Sequence, residues 1–476
     1  MKKSPTNFIV AKRIAVAVAT VFATMSVPAA AADDMKTLMD LLLKKGVITQ
    51  QEYDQNIKAA EDAAEDKAFK EKRLDDDVSK ANKFIQKNAD AGQVMKSGLG
   101  IQSADGKSSI ELTGRIHMDY RGYDDVSYQD KFEIRRARLG VKGKFAGDWK
   151  YEIMGNYGAA AGGGLSSSST EIDVAYIDYA ANPAAQLRFG KFKMPFSLEQ
   201  LTSSNNIDFM ERSLIGQVEG ELIPGKEAGV MVFGSPQSGV TYALAASQGR
   251  GNKTAAASSP DMVGRVTANF GEITGNKDLV VHTGLGYSFG GLKSGMVAAD
   301  YASGRTESRE ADKYFTPAAG LTGLVDRTRM GAELAIAYQG LKLQGEYFDF
   351  KYDDTTSVDK KINGYYAQAL WNITGESHAY SNSSGTFGFI KPNKPFGKGD
   401  GIGAWQVGVR FSRFDATNIA AATGKSNEVD ALTLGMTWFV NDNTRVLLNY
   451  SETDFGTAIS GVSKQRAMML RGQVSF

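Results

Sequence analysis

The chain has 476 residues, with 55 Lys and Arg against 54 Asp and Glu, 52 Gly, 24 Phe, 19 Tyr, 10 Pro and no Cys. Balanced charge provides no global attraction for nucleic acid, and the absence of Cys removes disulfides and thiol nucleophiles. The 42% hydrophobic content is spread thinly, which excludes a helical membrane protein, since that needs long apolar blocks.

Lys2, Lys3, Lys12 and Arg13 precede an apolar stretch over 14–27, followed by Pro28, four alanines and Asp33-Asp34. This order of basic, apolar and small residues predicts a secretory signal over 1–32, cleaved near Ala32. The apolar stretch is shorter than the roughly 20 residues that span a bilayer, so it is not read as an anchor. Losing those four basic residues takes the net charge from +1 to about −3.

Residues 33–95 read as helical. Met35 to Lys45 has amphipathic spacing and stops at Gly46, and Thr49 to Glu52 forms a capping box that starts a second helix. Leu74, Val78, Ala81 and Ile85 follow the spacing of a coiled-coil seam, so a solvated spacer and an oligomeric stalk both stay open. A polar linker over 96–109 separates this segment from the rest.

From Ser108 the period changes to two. Ile110, Leu112, Gly114, Ile116, Met118 and Tyr120 alternate with Glu111, Thr113, Arg115, His117, Asp119 and Arg121. Comparable strands fall at 131–145, 149–158, 171–180, 186–191, 227–234, 239–248, 262–270, 279–289, 326–339, 341–352, 361–373, 403–415, 428–440, 444–455 and 465–476. The fold predicted for 110–476 is all-β: a 16-stranded antiparallel transmembrane β-barrel behind a short N-terminal helical segment. Two features strain that count and keep 14 or 18 strands open. Residues 374–402 make a long connection where a tight turn is expected, and 295–302 could be an extra strand. The last strand ends on Phe476, an aromatic at the interface that suits closure and assembly of a barrel in lipid. A soluble sandwich would not need Trp149, Tyr151, Tyr157, Tyr287, Phe289, Trp405, Trp438 and Tyr450 on outward faces, several of them near strand ends.

If one face meets lipid, the other meets the lumen, and parity assigns Arg115, Arg121, Arg188, Arg265, Arg327, Arg329, Arg410, Arg445 and Arg471 to it. Around Arg135 and Arg136 the apolar set shifts from even to odd numbers, which predicts a bulge there and places Arg136, Arg138, Lys142 and Lys144 on the polar face. Guanidinium forks match phosphate and carboxylate oxygens, and rings of them suit anion pores. Lumenal carboxylates such as Glu111, Asp119, Glu152, Glu333 and Glu346 offer the competing possibility of simple pairing. Arg309 is placed in an outer loop, away from the path. Enzymatic readings are poorly served. His117, His282 and His378 lack metal-ligand spacing, and the glycine-rich run over 397–403 follows no buried strand and opens no helix. No cofactor or metal is expected.

The segments FGKFKMPFSLE over 189–199, FMERS over 209–213, LQGEY over 343–347, YAQALWNITGES over 366–377 and LLKKGVITQQEY over 42–53 resemble the phosphate-selective porin O and P family. The resemblance implies a trimeric, 16-stranded porin in the outer membrane of a Gram-negative bacterium. It also implies a third outer loop, here 192–226, that folds inward and brings Lys191, Lys193, Ser197, Ser203, Ser204 and Arg212 to the pore. Arg115, Arg135, Arg136, Arg138 and Arg265 are offered as counterparts of the family's arginine ladder, and the terminal aromatic as a signal to the barrel-assembly machinery. The expected function is passive diffusion of small anions, phosphate foremost. The alternatives are a general, weakly anion-selective porin, an envelope tether whose helical stalk binds peptidoglycan, and a barrel hydrolase.

Overall fold

The computed structural model describes residues 99–476 apart from 126–127, 159–169, 218–221, 250–258, 293–301, 310–312 and 356–359, together with Gln93, Val94 and scattered positions between 44 and 79. The chain divides into two units, 1–91 and 92–476. In the first, every described residue is helical. The seam positions Leu74, Ala81 and Ile85 and the whole of the expected signal lie outside the described residues, while Val78 is an exposed helical residue.

The second unit is a closed barrel of sixteen antiparallel strands. Its first half comprises β1 (Ser109–Tyr123), β2 (Lys131–Phe145), β3 (Trp149–Asn156), β4 (Glu171–Asn182), β5 (Ala185–Lys193), β6 (Lys226–Gln237), β7 (Val240–Ser247) and β8 (Asp261–Asn269). The second half comprises β9 (Leu279–Leu292), β10 (Val325–Tyr338), β11 (Leu341–Asp353), β12 (Lys360–Asn372), β13 (Ala404–Asp415), β14 (Glu428–Phe439), β15 (Thr444–Ile459) and β16 (Val462–Ser475). Each strand pairs with the next, and β16 returns to β1 with Leu470 opposite Tyr120. Closure leaves no sheet edge in lipid, where an unpaired backbone group would cost several kcal/mol. Two short strands, Gln93–Val94 and Gly100–Gln102, pair together, and the second extends β1 beyond its contact with β16.

The pattern of burial is inverted relative to a soluble protein. Along β10 the outward Met330, Leu334, Ile336 and Tyr338 are exposed, while the inward Arg327, Arg329 and Glu333 are buried. Aromatics gather near the strand ends at the tight turns: Trp405 stacks on Trp438 at 5.5 Å and Trp149 meets Tyr179 at 5.0 Å. The expected bulge falls in β2, where the register against β1 shifts between His117 and Met118 and Arg135 is left without an opposite residue.

Tight turns at 146–148, 183–184, 238–239, 339–340 and 440–443 share one end of the barrel with Phe476. The connection 373–403 lies at that same end and is the exception in length. It supplies no further barrel strand. A small hairpin, Tyr380–Ser381 with Thr386–Phe387, turns it inward, where the Ser384 and Gly385 carbonyls accept from Arg265 and Asn269 donates to Asn382. The extra strand considered at 295–302 falls almost wholly outside the described residues.

Two loops from the other end also fold inward. Phe196, Leu214, Ile215, Leu222 and Ile223 of the 194–225 loop and Tyr314, Phe315 and Leu321 of the 293–324 loop share one apolar cluster with inward Phe348, Phe350, Tyr352, Ile362 and Phe414 of the wall. Arg309, expected in an outer loop, lies in the 293–324 loop at the barrel mouth: its carbonyl accepts from Lys131, and the Ser308 carbonyl from Arg121. The wall makes room for the inserted loop through missing side chains. A Cβ on Gly364 would come within 2.3 Å of Ile215, and one on Gly435 within 2.9 Å of Phe209.

Candidate functional site

The 194–225 loop is pinned before any pathway is formed. Its short helix α1 (Leu198–Leu201) presents free N–H groups that the Glu346 carboxylate of β11 accepts, from Leu198 at 2.9 Å and Glu199 at 2.7 Å. Tyr366 holds the same carboxylate at 2.7 Å. Ser197, expected at the constriction, is occupied as the N-cap of α1, accepting from Gln200 at 3.1 Å. Glu211 clamps the far end of the loop. It accepts from Arg121, Arg135 and Arg471, each at 2.8 Å, and Asp119 completes the cluster against Arg121 and Arg471. Burial alone would push the Glu211 carboxyl up, but the Arg135, Arg471 and Arg121 guanidiniums outweigh it and hold it well below the usual carboxylate range.

Most inward arginines are therefore spoken for. Arg327 and Arg329 share Asp261, and Arg410 pairs with Glu307 and Glu199. Arg265 and Arg188 are held bidentately, by Glu333 at 2.7 and 2.8 Å and by Asp178 at 2.6 and 2.7 Å. Arg445 donates to Gln473 and to the Ile207 carbonyl.

Between β1–β8 and the inserted loop lies a cavity of about 340 Å³. Eight cationic side chains line it against two carboxylates, Glu152 and Asp173. Three of the guanidiniums stand apart, because no carboxylate lies within ion-pair distance of them among the described residues. Arg115 donates to Ser203 at 3.3 Å and Ser204 at 2.9 Å, and its Nε has no partner. Arg136 donates to His117 Nδ1 at 3.3 Å, and its Nε too is without a partner. His117 consequently offers its Nε2 hydrogen to Asn205, at 3.1 Å, and acts as a neutral spacer that aims the guanidinium. Arg212 donates only to the carbonyls of Glu199, Gln200 and Thr202.

The hydroxyls are set as donors. Ser203 Oγ accepts from both Arg115 and the Asn205 N–H, so its remaining capacity is its own O–H. Arg138 and Lys226 straddle Asp173 at 2.8 and 3.1 Å, which leaves that trio with a net positive charge. This corner of the lumen can hold an anion by charge-assisted hydrogen bonds without first breaking an ion pair.

Of the residues expected along the anion path, Arg115, Arg136, Arg138, Arg188 and Arg265 line the cavity. Arg121, Arg135, Arg327, Arg329, Arg410, Arg445 and Arg471 do not. Of the expected constriction residues, Lys193, Ser203, Ser204 and Arg212 line it. Lys191 is still within β5 and shares the parity of exposed Leu187 and Phe189, so it points away from the lumen and reaches the Ile172 carbonyl at 2.7 Å. Phe476 sits at the seam, exchanging backbone hydrogen bonds with Gly114 at 2.9 and 3.1 Å. Sequence reasoning missed Asp173, Lys226, Ser383 and Ser384. Asp173 occupies a second bulge, where the register of β4 against β3 shifts between Met154 and Gly155, so simple alternation misplaces it.

The family described as phosphate-selective porin O and P matches residues 110–476. Porin O of Pseudomonas aeruginosa is 28% identical over 420 residues, covering 80% of this chain and 91% of that one. Among solved structures, the outer membrane channel DcaP of Acinetobacter baumannii shares the fold with a TM-score of 0.50 at 13% identity, covering 79% of this chain and 99% of that one.

Proposed function

The chain belongs to the phosphate-selective porin O and P family, placing a non-catalytic transport barrel in the outer membrane of a Gram-negative bacterium, and from that premise we propose that its cavity is a phosphate-accepting stretch of the anion path. The observation that carries this reading is the set of guanidiniums, Arg115, Arg136 and Arg212, that face the cavity without a carboxylate of their own. An anion entering there meets donors already oriented by Ser203, Ser204 and His117. A charge-assisted hydrogen bond contributes about 1.5–3 kcal/mol, so a few together offset dehydration without trapping the ion. The 194–225 loop narrows the lumen from the outer side and the 373–403 connection from the periplasmic side.

The remaining parts of the proposal rest on sequence and family resemblance. Residues 1–32 direct export, three copies assemble into a trimer, and Phe476 is read by the barrel-assembly machinery. Measuring reversal potential across a KCl gradient in planar bilayers tests the whole reading. Anion selectivity, with chloride current blocked by micromolar to millimolar phosphate, is the expected result. Cation selectivity would end it, and anion selectivity without phosphate block would favour a general anion channel.

A further inference from the structure

The two sides of this cavity are chemically different. On β1, β2 and the inserted loop stand the unpaired guanidiniums of Arg115, Arg136 and Arg212. Further round, beside the rings of Tyr176 and Phe233, the arginine of the wall is already paired. Asp178 neutralises Arg188 through two short hydrogen bonds, and Tyr176 is fixed in place by donating to Glu152 of β3 at 2.6 Å. What that wall offers the cavity is apolar: the half-buried rings of Tyr176 and Phe233, with Met231 and Ala243 beside them. The Arg188 guanidinium lies over the Tyr176 ring at 3.8 Å and 5.0 Å from the centroid of Phe233, so Asp178 and the two rings take up this cation.

An inorganic anion gains nothing from such a wall, because the π face of a ring is electronegative and a desolvated thioether offers no donor. A hydrocarbon or aromatic group gains the area it removes from water. Both walls line the one cavity, and Met154, whose Sδ lies 3.8 Å from Arg115, adds an apolar surface on the arginine side. The cavity, at about 340 Å³, has room for more than a tetrahedral oxyanion.

We infer that the path binds organic anions in which a phosphate or carboxylate head sits on Arg115, Arg136 and Arg212 while a compact apolar or aromatic body lies against Tyr176 and Phe233. The inference rests on the anion-channel reading above and names its substrate class. Burying roughly half of a phenyl ring corresponds to about a tenfold gain in occupancy.

The test compares two probes with the same head on the full-length porin in planar bilayers. Chloride current is titrated with methyl phosphate and with phenyl phosphate at a pH where both are dianions. Phenyl phosphate should reach half-block at about one-tenth the concentration of methyl phosphate, and the ratio should fall towards one in Phe233→Ser and in Tyr176→Ala. Equal half-blocking concentrations in the unmodified protein would overturn the inference, whether or not either variant inserts, and would leave the anion-porin reading standing. A tenfold ratio that survives both substitutions would overturn the assignment to this wall. A cation-selective channel would remove the reading and the inference together.

Discussion

Arg115 lies 2.9 Å from Ser204, and that contact joins the first strand of the barrel to the inserted loop with no carboxylate between them. Arg121, Arg135 and Arg471 instead clamp the 194–225 loop through the negative charge of the Glu211 carboxylate. The barrel interior therefore contains arginines of two kinds, those that hold the loop through a carboxylate and those without one.

The two kinds should separate on mutation. Arg136→Gln removes a guanidinium that neutralises no carboxylate, so the folded barrel should persist while phosphate block of chloride current weakens by about tenfold, the value of one charge-assisted hydrogen bond. Arg471→Gln leaves Asp119 and Glu211 undercompensated in a buried site, which costs about 3–5 kcal/mol. Heat-modifiability on gels should show that loss for Arg471→Gln and not for Arg136→Gln.

Glu211→Gln should release the loop. Three guanidiniums would lose their shared acceptor, and single-channel records should become noisier, with a larger mean conductance. The pH dependence follows from the same contacts. Because the folded carboxyl is held well below its unfolded value, its contribution is fully present above about pH 4.3 and is lost only as pH falls through the folded value. Conductance should stay level from about pH 8 to about pH 5 and rise only in stronger acid. A rise beginning near pH 6 would contradict the latch.

Filling a socket should displace the loop from the opposite side. Gly364→Val places a side chain where Ile215 already packs, and overpacking of this kind costs about 1–3 kcal/mol. The expected result is a lower unfolding temperature together with altered conductance. Gly472→Val, where a Cβ would meet nothing within 4 Å and the backbone is extended, should leave conductance as it is.

Deleting Phe476 removes both hydrogen bonds that tie the chain end to Gly114, and the ring that covers that glycine. Surface levels of folded, heat-modifiable barrel should drop several-fold, as quantified by outer-membrane fractionation. Normal levels would show that closure is complete at Ser475.

A chain resuming near Ser97 behind an intact signal should conduct as the full-length protein does. All sixteen strands find their partners among themselves, so the helical segment is not required for the ladder. Loss of conductance in correctly inserted protein would mean that residues 33–95 build or gate the path.

The strand set was legible in the sequence because lipid on one side and a packed or aqueous interior on the other impose a period of two that nothing else in the chain produces. β10 shows it without interruption, and the sixteen strands were drawn to within a few residues of their ends. The first bulge was legible too, since the parity of apolar residues flips inside β2. The second was not, because Asp173 lies in a run where both parities carry apolar residues. Parity assigned nine arginines to the inward face, but it could not say which would meet Asp261, Glu307 or Glu333 and which would meet none. Pairing depends on where three inserted segments come to rest, and those positions are set by contacts between residues more than a hundred positions apart, such as Glu211 with Arg471 and Arg265 with Gly385. Local alternation therefore determined the barrel, whereas which guanidiniums are left without a carboxylate, Arg115, Arg136 and Arg212 among them, was decided by long-range packing, which alone distributes the buried carboxylates.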